Sequence, residues 1–256
     1  MKLFSKALQF LGVLVGALIV LWPSCGLAAD DRAEALVTAA EIGLIEEVQG
    51  LLEDGVDPNA TNSSGWTALM QASMNGNTDV VKLLLDRGAE VRAKGDAGWE
   101  ALMLAAQFGH VEIVRMLIAN KADVNATSRN GSTALMFAAS NGHFRVIADL
   151  LKTGAVVDAR DYLGRTALMF AAVDGFTRSA QILIENGADV NHRDNEGNTP
   201  LLLATRAGHE GVVRVLTGYC IDKNATGPSG KTAVELAREK GFERILEYLQ
   251  EPAPCN

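Results

Sequence analysis

Apolar and polar positions recur in a fixed order along most of this chain. An Ala- and Leu-rich segment, such as TALMFAASNG at 133–142, stops at a glycine. A second segment, such as VVKLLLDRG at 80–88, carries apolar residues three and four positions apart and also ends on glycine. A polar stretch, such as NHRDNEGN at 191–198, holds a third glycine and leads back to the start of the pattern. Three- and four-residue apolar spacing predicts an amphipathic helix, and a closing glycine predicts its C-terminal cap. Each unit therefore reads as helix, turn, helix and hairpin-like loop.

The pattern is a strict sequence period. TALMFAA occurs at 133–139 and again at 166–172. Thr67, Glu100, Thr133, Thr166, Thr199 and Thr232 open segments at that same spacing, and one step upstream lies Glu34. This divides the chain into seven units: 34–66, 67–99, 100–132, 133–165, 166–198, 199–231 and 232–256. Gly43, Gly76, Gly109, Gly142, Gly175, Gly208 and Gly241 close the first segment of every unit. A unit of this size cannot bury an apolar face alone, so the units are expected to stack into one continuous core with polar caps at the ends. Residues 30–66 and 232–256 are the expected caps around a central block at 67–231, because Glu34, Glu41, Glu46, Glu47 and Glu235, Arg238, Glu239, Lys240, Glu243, Arg244 crowd them.

TPLLLATRAGHEGVVRVL at 199–216 and GADVNHRDNEGNTPL at 187–201 resemble ankyrin repeats. That family's period is about 33 residues, which matches the spacing here. The resemblance runs from residue 34 to about 250. It implies an all-α solenoid of about seven stacked helix-turn-helix units, with no catalytic role. The family's threonine-proline-leucine opening survives only at Thr199, Pro200 and Leu201. Its histidine is replaced by Met70, Met103, Met136 and Met169, so thioethers should pack between repeats in place of a polar tie. Lys121 stands where a left-handed glycine belongs and should cost stability. LTGYCIDKN in the sixth unit departs from the usual loop.

The resemblance also implies where a partner protein binds: the concave face of the first helices and the loop tips, where variable positions carry recognition. The implied partner-binding residues are Trp66, Gln71, Met74, Trp99, Leu104, Phe108, Phe137, Tyr162 and Phe170, with Arg129, Arg160, Arg165 and Arg193 on tips. Trp66 and Trp99 occupy one phase of adjacent units, and Gln71, Leu104, Phe137 and Phe170 share another. Large aromatic residues and arginines dominate interface energetics. Phe137 and Phe170 read equally well as ring surfaces half-covered by the loops.

Composition changes this picture little. Net charge is −8, with no basic block, which excludes general binding to nucleic-acid phosphates. His110, His143 and His209 share one repeat phase and His192 lies in the loop phase, so repeat position accounts for all four and no metal site is expected. The methionines read as core, not as soft copper ligands. Nucleophile elbow, phosphate-binding loop and HExxH are missing from the sequence, and the acids of DARDYLG and HRDNEG read as turn residues. The expected protein is a monomer without cofactor. An inhibitory cap on a co-exported enzyme or toxin, and a ligand or catalytic site built across repeats, are the rival readings.

Residues 1–29 are of a different character. Lys2 and Lys6 precede an apolar run from Ala7 to Trp22, then PSCGLAADD brings small residues and the first acids. This is the layout of a secretory signal peptide, with cleavage after Ala28 or Ala29. An uncleaved membrane anchor and lipidation at Cys25 are the alternatives. Cleavage would leave the chain periplasmic or secreted, and an uncleaved segment would leave it membrane-anchored, in each case outside the cytoplasm. The triplets starting at Asn59, Asn125 and Asn224 are loop-phase residues, read without glycans. Cys220 and Cys255 fall in similar phases of neighbouring units and form a candidate disulfide, which needs Cα atoms within about 7 Å.

Overall fold

The computed structural model describes residues 29–252. Residues 1–28, which hold the expected signal peptide and Cys25, and Cys255 lie outside the described residues. Fourteen α-helices form seven pairs among them. These are α1 (Ala29–Ile42) with α2 (Ile45–Glu53), α3 (Ala68–Asn75) with α4 (Thr78–Asp86), and α5 (Ala101–Phe108) with α6 (Val111–Ala119). Then come α7 (Ala134–Ser140) with α8 (Phe144–Lys152), and α9 (Ala167–Asp174) with α10 (Thr177–Glu185). The last are α11 (Pro200–Ala207) with α12 (Glu210–Thr217), and α13 (Ala233–Lys240) with α14 (Glu243–Gln250). Each first helix packs on the first helix of the next unit, and second helices pack likewise in an outer row. This is the all-helical repeat solenoid that the period implies. Extended pairing among the described residues is limited to one bridge, Thr61 to Thr67.

The opening threonine explains where the first helices begin. Thr67, Thr133 and Thr199 have extended backbones, and their hydroxyls accept the amides of Met70, Met136 and Leu202. That satisfies one of the donors a helix start leaves unpaired. Thr232 goes further: its hydroxyl takes the Glu235 amide while the Glu235 carboxylate takes the Thr232 amide, a reciprocal capping box. Those hydrogen bonds hold the Glu235 carboxyl below its ordinary range.

A glycine ends most first helices because two demands coincide there. Gly142 has φ 74°, and a Cβ on it would lie 2.3 Å from Cδ1 of Phe176 in the next unit. Gly109 has φ 76°, and a Cβ would lie 2.5 Å from the His143 ring. Left-handed backbone and close approach both require a missing side chain. The resulting core is continuous from Leu36 to Leu249, and Met70, Met103, Met136 and Met169 are all buried in the stack.

Two departures noted in the sequence take definite form. Lys121 adopts φ 68°, the left-handed backbone its glycine counterparts use. Cys220 stands at the same repeat position in the sixth unit, yet the left-handed residues other than glycine are Ala97 and Lys121. There α12 ends instead at Gly218 with φ −73°. Lys223 then turns its ammonium onto the carbonyls of Tyr248, Leu249 and Glu251, capping the C-terminus of α14. Cys220 is disulfide-bonded.

Two substitutions test this backbone account. Lys121→Gly is expected to raise the unfolding free energy by about 0.5–1 kcal/mol, since glycine removes the Cβ conflict of a left-handed residue. Gly142→Val is expected to lower it by about 2 kcal/mol or more, because it adds a clash to a forbidden dihedral. Urea midpoints read both; a Gly142→Val midpoint equal to wild type would contradict the assigned turn.

Candidate partner-binding surface

The loop tips are built as a ladder. In three of them an Asn or Asp side chain folds the turn: Asn62 accepts the amides of Ser64 and Trp66, Asp161 those of Leu163 and Arg165, and Asp194 those of Glu196 and Asn198. The acids of these loops are thus turn-forming groups. Neighbouring tips join through backbone bonds from Arg129 to Ala97, Tyr162 to Asn130 and Asn195 to Leu163, at 2.7, 3.1 and 3.0 Å. The rim of the groove is therefore preformed.

The inner helices supply the floor, and here the structure revises the expected residue set. Leu104 is only 2% exposed and is withdrawn from the surface. Leu203, in the same phase, is buried too, while the larger rings of Phe137 and Phe170 stay half-buried. An aliphatic side chain at this phase is covered by the stack; a phenyl ring outgrows it. Trp99 is half-buried: its ring lies 4.3 Å from that of Phe137, tilted 30°, and both pack on the core. Trp66, Gln71 and Met74 are half-buried.

The exposed apolar groups include Phe108 at 49%, on the last turn of α5, and Tyr162 at 74%, on a tip. The Tyr162 ring leans over Gly131, where a Cβ would lie 2.9 Å from Cδ1. Two residues outside the expected set join them: Leu163, beside Tyr162, at 58%, and Val173, on the last turn of α9, at 44%. Val173 lies three residues after Phe170, so helical spacing places both on one side of α9 and is the signal that points to it. Leu163 has no such signal.

Between the tips and α9 and α11 lies a cleft of about 420 Å³. Phe170, Val173, Leu163 and Leu203 give it apolar walls, and Arg165, Asp174, Glu196 and Arg206 surround them. Arg165 lies 4.5 Å above the Phe170 ring, a cation–π contact, and is held there by Asp161 at 2.7 Å. Partial desolvation beside these walls raises the Asp174 carboxyl above its ordinary range, opposed by nearby His209.

The titratable groups elsewhere serve the stack. His110, His143 and His209 each place Nε2 on a carbonyl of the preceding first helix, at Met74, Gln107 and Val173, 2.7 to 3.0 Å away. His192 does the same to Gly164 at 2.8 Å. Glu100 differs. It replaces the capping threonine of α5, makes no cap bond, and is buried. Desolvation raises its carboxyl, partly offset by Lys94 at 3.6 Å, and Oε2 has no partner.

Stacked helix pairs carrying a ladder of tips define a repeat solenoid with a preformed groove. A family model described as ankyrin repeats (3 copies) matches residues 12–96, 36–128, 102–194 and 168–256. The chain belongs to the ankyrin-repeat family. Comparison with curated proteins found no match.

Glu100→Thr is expected to stabilise the protein by about 1–2 kcal/mol near neutrality, by restoring a hydroxyl cap and removing a half-satisfied buried carboxylate. With its folded pKa raised, the native state binds more protons than the unfolded chain between the two pKa values. Wild-type stability from this group therefore falls as pH rises through that window. The advantage of the threonine variant should shrink as pH drops into the ordinary carboxylate range. Urea titrations across that range would expose a constant or inverted difference if the carboxylate were harmless.

Proposed function

We propose that this chain is a non-enzymatic scaffold that binds a partner protein across its concave groove and loop tips, in an exported compartment. Ankyrin repeats generally serve as modules for binding other proteins. The observation that carries the reading here is the exposed apolar series of Phe108, Tyr162, Leu163 and Val173 on a rigid ladder. Apolar residues exposed singly are ordinary, but contiguous ones mark interaction sites, and Leu163 and Val173 line one cleft with Phe170. Because tips and helices are already joined, docking should be largely rigid-body.

Export rests on the leader-like character of residues 1–29 and on the disulfide at Cys220, a bond that persists in oxidising compartments. Cys255 is the partner we assign to Cys220. Protein purified from its own cells should begin at Ala29 or Asp30 and gain two hydrogens on reduction. A chain that retains its leader would favour the membrane-anchored alternative.

Affinity capture with the full chain, expressed with its leader, tests the binding surface. The triple variant Phe108→Ala, Tyr162→Ala, Leu163→Ala should lose the captured protein. Its melting temperature should stay within about 2 °C of wild type, because exposed positions away from packing change stability little. Equal capture by both forms would refute the groove as the docking face.

A further inference from the structure

The cleft beside α9 is unbalanced in charge. Its two guanidinium groups are already engaged: Arg165 with the buried Asp161 carboxylate at 2.7 and 2.8 Å, and Arg206 with the Asn198 side-chain oxygen at 3.4 Å. Its acids are less well matched. Asp194 is occupied by the turn it folds. Glu196 receives only the Asn198 amide at 3.3 Å. Asp174, exposed at the end of α9, makes no hydrogen bond or ion pair with any described residue. Phe170 and Val173 line the same cleft as these two carboxylates.

Resting on the scaffold reading, we propose that this cleft takes an arginine or lysine side chain from an extended segment of the partner. The methylenes of such a side chain cover Phe170 and Val173, and its cationic head meets Asp174 and Glu196. Long cationic side chains have this dual character, an apolar stem under a charged tip. A neutral apolar side chain would bury the edge of Asp174 without a partner, which costs free energy. An anionic one would face unpaired carboxylates. The net charge of −8 favours the same choice, since it draws a basic segment toward the solenoid from a distance.

The test uses random dodecapeptides displayed on phage and selected on the immobilised full chain. Selected sequences are then labelled and measured by fluorescence anisotropy. Enriched peptides are expected to share an arginine or lysine. Asp174→Asn with Glu196→Gln should weaken them by about tenfold or more, the scale of a lost charge-assisted pair. Asp79→Asn, on the outer row of helices, should leave them unchanged, and added salt should weaken wild-type binding. Enrichment of peptides without basic residues, no enrichment at all, or equal effects of the two variant forms would overturn the assignment. Capture of the natural partner that survives Asp174→Asn with Glu196→Gln, yet fails in the Phe108, Tyr162, Leu163 variant, overturns the cleft assignment while the scaffold reading stands.

Discussion

The end of each inner helix, pressed against the first residues after the turn of the next unit, is the contact on which this chain depends. At that point the backbone must turn left-handed, and a side chain from the next unit must pass close by. Glycine at Gly109 permits both, so His143 lies over it and bonds the Gln107 carbonyl 2.9 Å away. Asn77 does the same for the carbonyls of Ala40 and Glu41, while Phe176 and Phe242 fill the place with rings. Each such bond contributes about 1 kcal/mol at most. Their effect comes from repetition: every unit is fixed to its neighbour at the same height, which keeps the tips in register and joins them by backbone bonds. A groove with a rigid rim follows from that register.

Much of this is legible in the chain itself. The period locates every helix pair, because like segments at one constant interval are what a stack of equal units requires. The methionine phase reads as core, and Met70, Met103, Met136 and Met169 are buried. Lys121 falls in a glycine phase, and its φ of 68° agrees. What sequence pattern does not resolve is exposure within the inner phase. Leu104 and Phe137 share a repeat position, yet one is covered and the other half-open, because ring size decides which side chain protrudes from the seam. Trp99 follows a glycine and has little local core to enter; its contact with Phe137 is made with a residue more than one repeat period further along the chain, which no local window contains. Leu163 gives no periodic signal, since it sits on a tip whose turn is dictated by Asp161.

Two positions show the scaffold departing from its own rule. Glu100 sits where threonine caps other helices, buried with one oxygen unpaired. At the far end, Cys220 replaces the usual left-handed residue, and the loop is held instead by its disulfide and by Lys223 on the α14 carbonyls. The first departure is expected to cost stability in the third unit, since a buried carboxylate oxygen is left without a partner. The second fastens α14 to the unit before it, through Lys223 on the Tyr248 and Leu249 carbonyls.

The central claim is that recognition uses the inner helices and tips, while the outer row only holds them in place. Hydrogen–deuterium exchange of the full chain, with and without its captured partner, tests this most directly. The account predicts added protection at the tips around 129–131 and 161–164 and at the ends of α5 and α9, with α4, α6, α8 and α10 unchanged. Protection concentrated on that outer row would contradict it.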